Sequence, residues 1–160
     1  MALTYDGTNG ITFNDGSQIG TANSLGMRNR IINGAMVISQ RGTSAFTIAG
    51  GEYTLDRWKA GASQASKYTI QQNAGAVTPP AGFTNYLGIT SSSAYSITAT
   101  DIFALTQRIE GFNTADLAWG TANAQTVTLS FWVRSSLTGT FGGSLQNNDS
   151  NRDYPFTYVI

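Results

Sequence analysis

A nine-residue stretch in the C-terminal half of the sequence limits the fold more than any other feature. Residues 126–134 read TVTLSFWVR, and apolar side chains fill every second position, at Val127, Leu129, Phe131 and Val133. Because side chains alternate between the two faces of a strand, this pattern predicts a strand with one apolar face. The other face carries Trp132 and Arg134 among small hydroxyl residues, so it either holds a sugar or packs against a neighbour.

Composition agrees with a β-fold and narrows the partners. The 160 residues suffice for one domain with a core, and glycine is frequent, as in short strands joined by tight turns. Only 11% of residues are charged and the formal net charge is zero, so the chain lacks a basic patch for nucleic acid. No apolar run is long enough to span a membrane. We therefore expect neither nucleic acid nor membrane as a partner.

Two residue types that carry much enzyme chemistry are absent. The sequence has no cysteine and no histidine, which excludes thiol nucleophiles, His-dependent triads and the usual zinc ligands. We predict no catalytic residue, no metal ligand and no cofactor. The N-terminus does not read as a secretory signal, so we expect synthesis in a cytoplasm.

Residues 1–28 are predicted to form a separate β-rich N-terminal arm. The segment 4–8, TYDGT, is echoed by TFNDGS at 12–17, and each copy runs into a turn containing Asp-Gly. Two such units cannot bury a core alone, so copies from other chains would pack with them, as in a homotrimeric fibre stem. Tyr5, Ile11 and Phe13 are the candidate oligomer or anchor residues. The alternative is a floppy arm with one hairpin.

Residues 29–160 are predicted to form the main domain, an antiparallel β-sandwich. The expected strands cover 29–42 with a turn or bulge at Asn33-Gly34, then 53–58, 66–72, 86–92, 94–98, 102–110, 126–134, 139–146 and 153–160. Trp58 is expected in the core or as a lid of one sheet, and Gln107 interrupts an apolar face and needs a partner. One helical turn is expected within 113–119, capped by Asn113 or Thr114.

The last predicted strand, 153–160, has no terminator signal after it. We expect the sandwich to continue beyond residue 160 in a longer polypeptide. The alternative is an edge strand that ends the protein.

Several segments together resemble a known kind of domain. NRIINGAMVISQRGTS at 29–44 followed by YTLDRW at 53–58 resembles the opening of a domain in bacteriophage tail-fibre and other virion appendage proteins. LTQRIEG at 105–111 and TVTLSFWVRSSLTGTF at 126–141 are similar to strands of galactose-binding-like carbohydrate-binding jelly rolls, and GITFNDGS at 10–17 resembles segments of trimeric phage fibres. The resemblance implies an all-β fold, a jelly-roll sandwich after a short arm, and a structural role on a virion.

The resemblance does not carry every family feature to this chain. Some relatives bind calcium near the Asn-Gly turn, but Ala35 and Met36 follow it here instead of acidic residues, and calcium needs six or more oxygen ligands. The Asp56-Arg57-Trp58 motif can serve the fold in such domains, so it does not transfer as a binding site.

Three functions remain open at this stage. The first is a homotrimeric tail-fibre or similar virion subunit, which attaches the fibre to other virion proteins of tail or capsid and takes part in host-surface recognition. The second is a carbohydrate-binding decoration or head-fibre module that contacts host glycan through Trp132, Arg134, Arg108 and Trp119. The third, a polysaccharide depolymerase, needs two facing carboxylates; Glu110, on a predicted strand, is the least implausible acid, and nothing in the sequence places a second carboxylate opposite it. We therefore expect a non-enzymatic protein located in the virion.

Overall fold

The protein is described by a computed structural model that covers residues 4–6, 10–13, 18–19 and 29–160. The chain divides into two compact units, unit 1 at residues 1–126 and unit 2 at residues 127–160. The boundary between the two units lies after residue 126. The arm boundary predicted after residue 28 falls at the end of residues 20–28, which lie outside the described residues.

Antiparallel strands make up most of the regular structure, which confirms the predicted all-β class. The strands are β1 (Thr4–Asp6), β2 (Gly10–Thr12), β3 (Gln18–Ile19), β4 (Phe46–Thr47), β5 (Gly51–Tyr53), β6 (Trp58–Ala62), β7 (Tyr68–Gln72), β8 (Leu87–Ser91), β9 (Phe103–Gln107), β10 (Thr140–Gln146) and β11 (Asp153–Val159). Within the described residues, short 3-10 helices cover Ala74–Ala76 and Gly111–Leu117. The strands form sheets in the orders β1-β2-β3, β4-β7-β8, β5-β6-β9 and β10-β11. No helix among the described residues is long and apolar enough to cross a bilayer.

Two sheets of unit 1 share one hydrophobic core. Its buried members are Ile48, Leu55, Ala60, Tyr68 and Ile70. Tyr68 and Ile70 come from β7 of one sheet and Ala60 from β6 of the other, and the alternation along β7 places the first two on the same side. The Tyr68 hydroxyl donates a hydrogen bond of 2.7 Å to the carbonyl of Gly61, so the buried phenol is satisfied across the two sheets.

Three predicted strands of unit 1 are not formed. Residues 53–58 contain the turn between β5 and β6, where the Trp58 N–H donates to the Leu55 carbonyl at 3.0 Å. Residues 29–42 contain the predicted turn at Asn33-Gly34 but no strand, and residues 94–98 are also outside any strand. Among the described residues, neither of the latter two segments pairs with another strand, so β-propensity alone does not produce a ladder there.

The predicted helical turn is present, as the 3-10 helix Gly111–Leu117. The predicted cap is wrong. Glu110 occupies the N-cap position and no side chain caps the helix, because the segment enters it directly from extended backbone at Glu110.

The arm contains three short antiparallel strands within its described residues. Tyr5 lies opposite Ile11 in the β1-β2 ladder, and Ile11 lies opposite Ile19 in the β2-β3 ladder. Phe13 follows β2 and is exposed. The two stretches that carry the Asp-Gly turns, 7–9 and 14–17, lie outside the described residues.

Candidate functional site

Unit 2 is built on a β-hairpin with one apolar face. β10 and β11 pair along their full length, and three cross-strand pairs share that face: Phe141 with Tyr158, Gly143 with Phe156, and Leu145 with Tyr154. Threonine, serine, glutamine and aspartate occur mainly on the other face, as expected for a hairpin with one side turned away from water. A two-stranded hairpin alone is marginally stable, so this face needs a cover.

Residues 126–134 supply part of that cover without forming a strand. Val127, Leu129 and Phe131 line the same groove as the hairpin, whereas Val133, the fourth residue predicted on that face, does not line it. The groove has a volume of about 240 Å³. We call it the apolar groove; its lining is Val127, Leu129, Phe131, Leu145, Tyr154, Phe156 and Tyr158.

Aromatic contacts fix one end of the apolar groove. The Tyr158 ring stacks on the Phe141 ring, with 5.7 Å between centroids and 16° between planes. Phe131 meets the Tyr158 ring edge-on, at 5.1 Å and 75°, a favoured arrangement for aromatic pairs. Further along the hairpin, Gly143 leaves room for the Phe156 ring, since a β-carbon there would lie 2.5 Å from Phe156 Cζ.

The predicted strand at 126–134 is not formed, and its backbone has no partner. Among the described residues, none of the nine makes a hydrogen bond with backbone or side chain, and the last bonded neighbour is Gln125, whose N–H donates to Leu117. The reason is that neither edge of this segment meets another strand. The segment therefore has an alternating, strand-like sequence, while the backbone N–H and C=O groups along both of its edges are unpaired within the described residues.

Large apolar side chains of unit 2 remain in water. Trp132 is 75% exposed, and Tyr154 is 70% exposed at the rim of the groove. None of the seven groove residues is charged. Soluble proteins rarely expose contiguous apolar surface of this kind unless it binds something.

The four residues predicted to contact glycan are divided between the two units. Trp132 and Arg134 belong to unit 2, whereas Arg108 and Trp119 belong to unit 1. The pairing that would bring Arg108 beside Trp132 is not present, because β9 pairs with β6 and Arg108 follows the end of β9. Trp119 is half-exposed and its indole N–H donates to the Gln125 carbonyl at 2.9 Å, which holds the turn that ends unit 1.

The two signature segments of unit 1 are joined to each other by Asn33. Its amide nitrogen donates to the carbonyls of Ile38 and Asp56, both at 2.9 Å, and its side-chain oxygen accepts from the Ile38 N–H. The Trp58 indole donates to the Asn33 carbonyl at 3.1 Å. The Asn-Gly turn and the Asp-Arg-Trp motif therefore act together as a structural clamp, and Trp58 packs against the core as predicted.

Two glutamines complete this clamp, and sequence reasoning identified one of them. The Gln107 side chain accepts from the Ile32 N–H at 2.9 Å and donates to the Ile32 carbonyl at 2.8 Å, which supplies the partner that its place on an apolar face requires. The Gln72 amide donates to the Met36 carbonyl at 2.6 Å. Nothing in the local pattern distinguishes Gln72 from the adjacent Gln71, whose side chain makes no hydrogen bond within the described residues.

Two acidic residues of unit 1, Glu110 and Asp101, are occupied by internal contacts. Glu110 lies 2.7 Å from the Arg57 guanidinium, and a hydrogen bond from its own backbone N–H together with Arg57 lowers the pKa of its carboxyl group. Asp101 accepts hydrogen bonds from Ser63, Thr98 and Tyr95. These bonds, that from Ser63 foremost, lower the pKa of Asp101 to about 2.

Across the described ranges, no three acidic side chains come together in a group that could hold a metal ion. No protein-family model, no curated protein and no solved structure matches this chain.

Proposed function

We propose that this protein is a structural subunit of a bacteriophage virion, in a tail fibre or similar appendage, that works by binding other protein surfaces. The single observation that carries the proposal is the apolar groove of unit 2, with its uncharged lining and its exposed rim. An apolar face of this kind suits lasting attachment between subunits better than brief contact with a polar substrate.

The proposal includes the finer fold and the assembly expected from sequence. Residues 29–160 belong to a jelly-roll sandwich, and the arm associates three chains through Tyr5, Ile11 and Phe13. Support comes from the antiparallel β1-β2-β3 pairing, in which Tyr5 and Ile11 stand opposite each other, and from the exposed Phe13. Virion proteins of tail or capsid are the other partners.

The lowered pKa values of Glu110 and Asp101 favour a role without catalysis. A general acid needs a raised pKa, whereas the pKa of Glu110, the least implausible acid for glycoside cleavage, is lowered by its contacts. Asp101 is likewise held in its ionised form by donated hydrogen bonds.

Mass spectrometry of purified particles tests the virion role. The phage whose genome encodes this chain should contain it at a constant ratio to the other appendage proteins after gradient purification and a salt wash. Presence in the infected-cell lysate together with absence from washed particles would contradict the proposal.

The arm has its own test. Deleting residues 1–23 should lower the mass measured by multi-angle light scattering from that of a trimer, or prevent incorporation into particles. A chain that is monomeric both with and without the arm, and enters particles equally well in both forms, would remove the stem from the proposal.

A carbohydrate-binding module is the second candidate, favoured by the exposure of Trp132. A ring that is 75% exposed is available to stack on a sugar, and Arg134 lies two residues further along the segment. Trp132→Ala should abolish retention by host polysaccharide in affinity electrophoresis while the melting temperature stays nearly constant. Phe112→Ala, which removes an exposed aromatic ring outside the glycan candidates, is the matched control, and equal retention of wild type and Trp132→Ala would exclude this site.

A further inference from the structure

We propose that residues 126–134 form an antiparallel β-pair with the same residues of a second copy of this chain, centred on Ser130. The inference deepens the proposed function, on which it rests for its biological setting, by naming a surface through which copies meet. The pair is two-fold symmetric and is therefore separate from the three-fold association proposed for the arm.

The unpaired backbone is the first argument for a strand partner. All nine residues lack hydrogen bonds within the described part of the chain, although three of them already order their side chains on one face, toward the hairpin. An exposed, apolar, β-prone segment with open edges is a template for pairing with another strand. No proline interrupts it, and its single charge lies at its end.

The sequence of the segment is the second argument, because it is complementary to itself. In an antiparallel pair centred on Ser130, Val127 faces Val133 of the other copy and Leu129 faces Phe131. Every apolar residue of the alternating set then meets an apolar residue across the pair. Residues directly opposite share a face, so the second strand widens the layer that covers the hairpin.

Charge favours a second copy in this orientation. Unit 2 contains two basic residues, Arg134 and Arg152, and two acidic residues, Asp149 and Asp153, so its formal charge sums to zero and two copies do not repel. In the antiparallel pair the two Arg134 side chains lie at opposite ends. A parallel pair in register would place them side by side, where like charges destabilise a sheet.

Disulfide cross-linking of single-cysteine variants tests the pair, because the natural sequence contains no cysteine. Ser130→Cys should give a covalent dimer under mild oxidation, since opposite residues of an antiparallel pair have α-carbons about 4.5–5.5 Å apart, within disulfide range. Thr126→Cys alone should remain at least tenfold less cross-linked, because its two copies lie about 27 Å apart at roughly 3.3 Å per residue. Mixing Thr126→Cys with Arg134→Cys should restore the cross-link as a heterodimer.

Two results would contradict the proposed pair. Equal cross-linking of Ser130→Cys and Thr126→Cys would exclude the antiparallel register. If Ser130→Cys does not cross-link while its circular dichroism spectrum matches that of the wild type, the pair does not form. Adding Leu129→Glu to Ser130→Cys should lower the dimer yield about tenfold, since it places a carboxylate opposite Phe131.

The outcome is separable from that of the proposed function. If the chain cross-links but is absent from virions, the strand pair is supported and the virion role is contradicted. If the chain is present in virions but does not cross-link, the virion role is supported and the strand pair is contradicted.

Discussion

Unit 1 and unit 2 use the same residue types in opposite ways. In unit 1, two three-stranded sheets enclose Ile48 and Ile70 with almost no exposure, and amide side chains tie the preceding segment to the sheets. In unit 2, a single hairpin carries an apolar face of similar chemistry, yet much of that face stays exposed. The apolar surface buried in unit 1 stabilises the fold of that unit. The apolar surface left exposed in unit 2 can still be buried by association with another molecule.

Truncation of the unit 1 core gives the largest expected effect. Ile70→Ala should lower the free energy of unfolding by about 2–5 kcal/mol, because it leaves a cavity under two sheets. The matched change in unit 2, Leu145→Ala, should cost no more than about 1 kcal/mol, since Leu145 is 39% exposed. Urea denaturation followed by tryptophan fluorescence measures both. Equal losses would mean that unit 2 is as closed as unit 1 and would end the contrast.

Loss of the Gln107 clamp should come next. Gln107→Met keeps the length of the side chain but leaves the Ile32 N–H and carbonyl unpaired, at a cost of about 1–3 kcal/mol. Gln71→Met is the control, because the Gln71 side chain makes no hydrogen bond within the described residues. Urea midpoints compare the two, and a Gln107→Met chain as stable as the control would show that the clamp contributes little to unit 1.

Much of this architecture was accessible from sequence, for reasons that differ between the units. Strands β7, β8, β9, β10 and β11 were predicted because each alternates or carries β-branched and aromatic residues between turn signals. The need of Gln107 for a partner followed from its position on an apolar face. In unit 2, the period-two pattern grouped Val127, Leu129 and Phe131, which line one groove, with Val133, which does not line it.

What the sequence could not supply was the pairing. Residues 126–134 have a strand pattern but no strand neighbour, and residues 53–58 have β-prone side chains but turn at Arg57, whose φ is +74°. The glycan candidates Arg108 and Trp132 were grouped on a pairing that is not present. The clamp at Asn33 depends on contacts with residues up to 25 positions away, which no local pattern encodes.

A test inside the hairpin sharpens the view of unit 2. Gly143→Ala should lower the free energy of unfolding by about 1–2 kcal/mol, because the new methyl group meets the Phe156 ring and the overpacking outweighs the entropic gain. Gly142→Ala is the control on the other face, where the nearest atom is the Phe156 carbonyl oxygen at 3.9 Å. Thermal unfolding of both variants measures the difference. Equal melting temperatures would show that the Phe156 ring can move aside, as in a loosely packed face.

The smallest expected effect is the response of unit 1 to acid through Asp101. The folded chain lowers the pKa of this carboxyl from 3.8 to about 2, chiefly through the Ser63 hydroxyl, so the folded state binds its proton less readily than the unfolded state does. The contribution to stability is therefore complete above about pH 4 and is lost as the pH falls toward 2.

Melting temperatures between pH 5 and pH 2 should accordingly fall less steeply for Asp101→Asn than for the wild type, while the two slopes agree above pH 5. Asp149→Asn, which removes a carboxylate without a hydrogen bond in the described structure, should keep the wild-type slope. If Asp101→Asn also keeps that slope, the bonds from Ser63, Thr98 and Tyr95 do not persist in solution. The hydrogen bonds around Asp101 would then contribute little to the stability of unit 1. The difference in closure between unit 1 and unit 2 would rest only on the buried residues around Ile48 and Ile70.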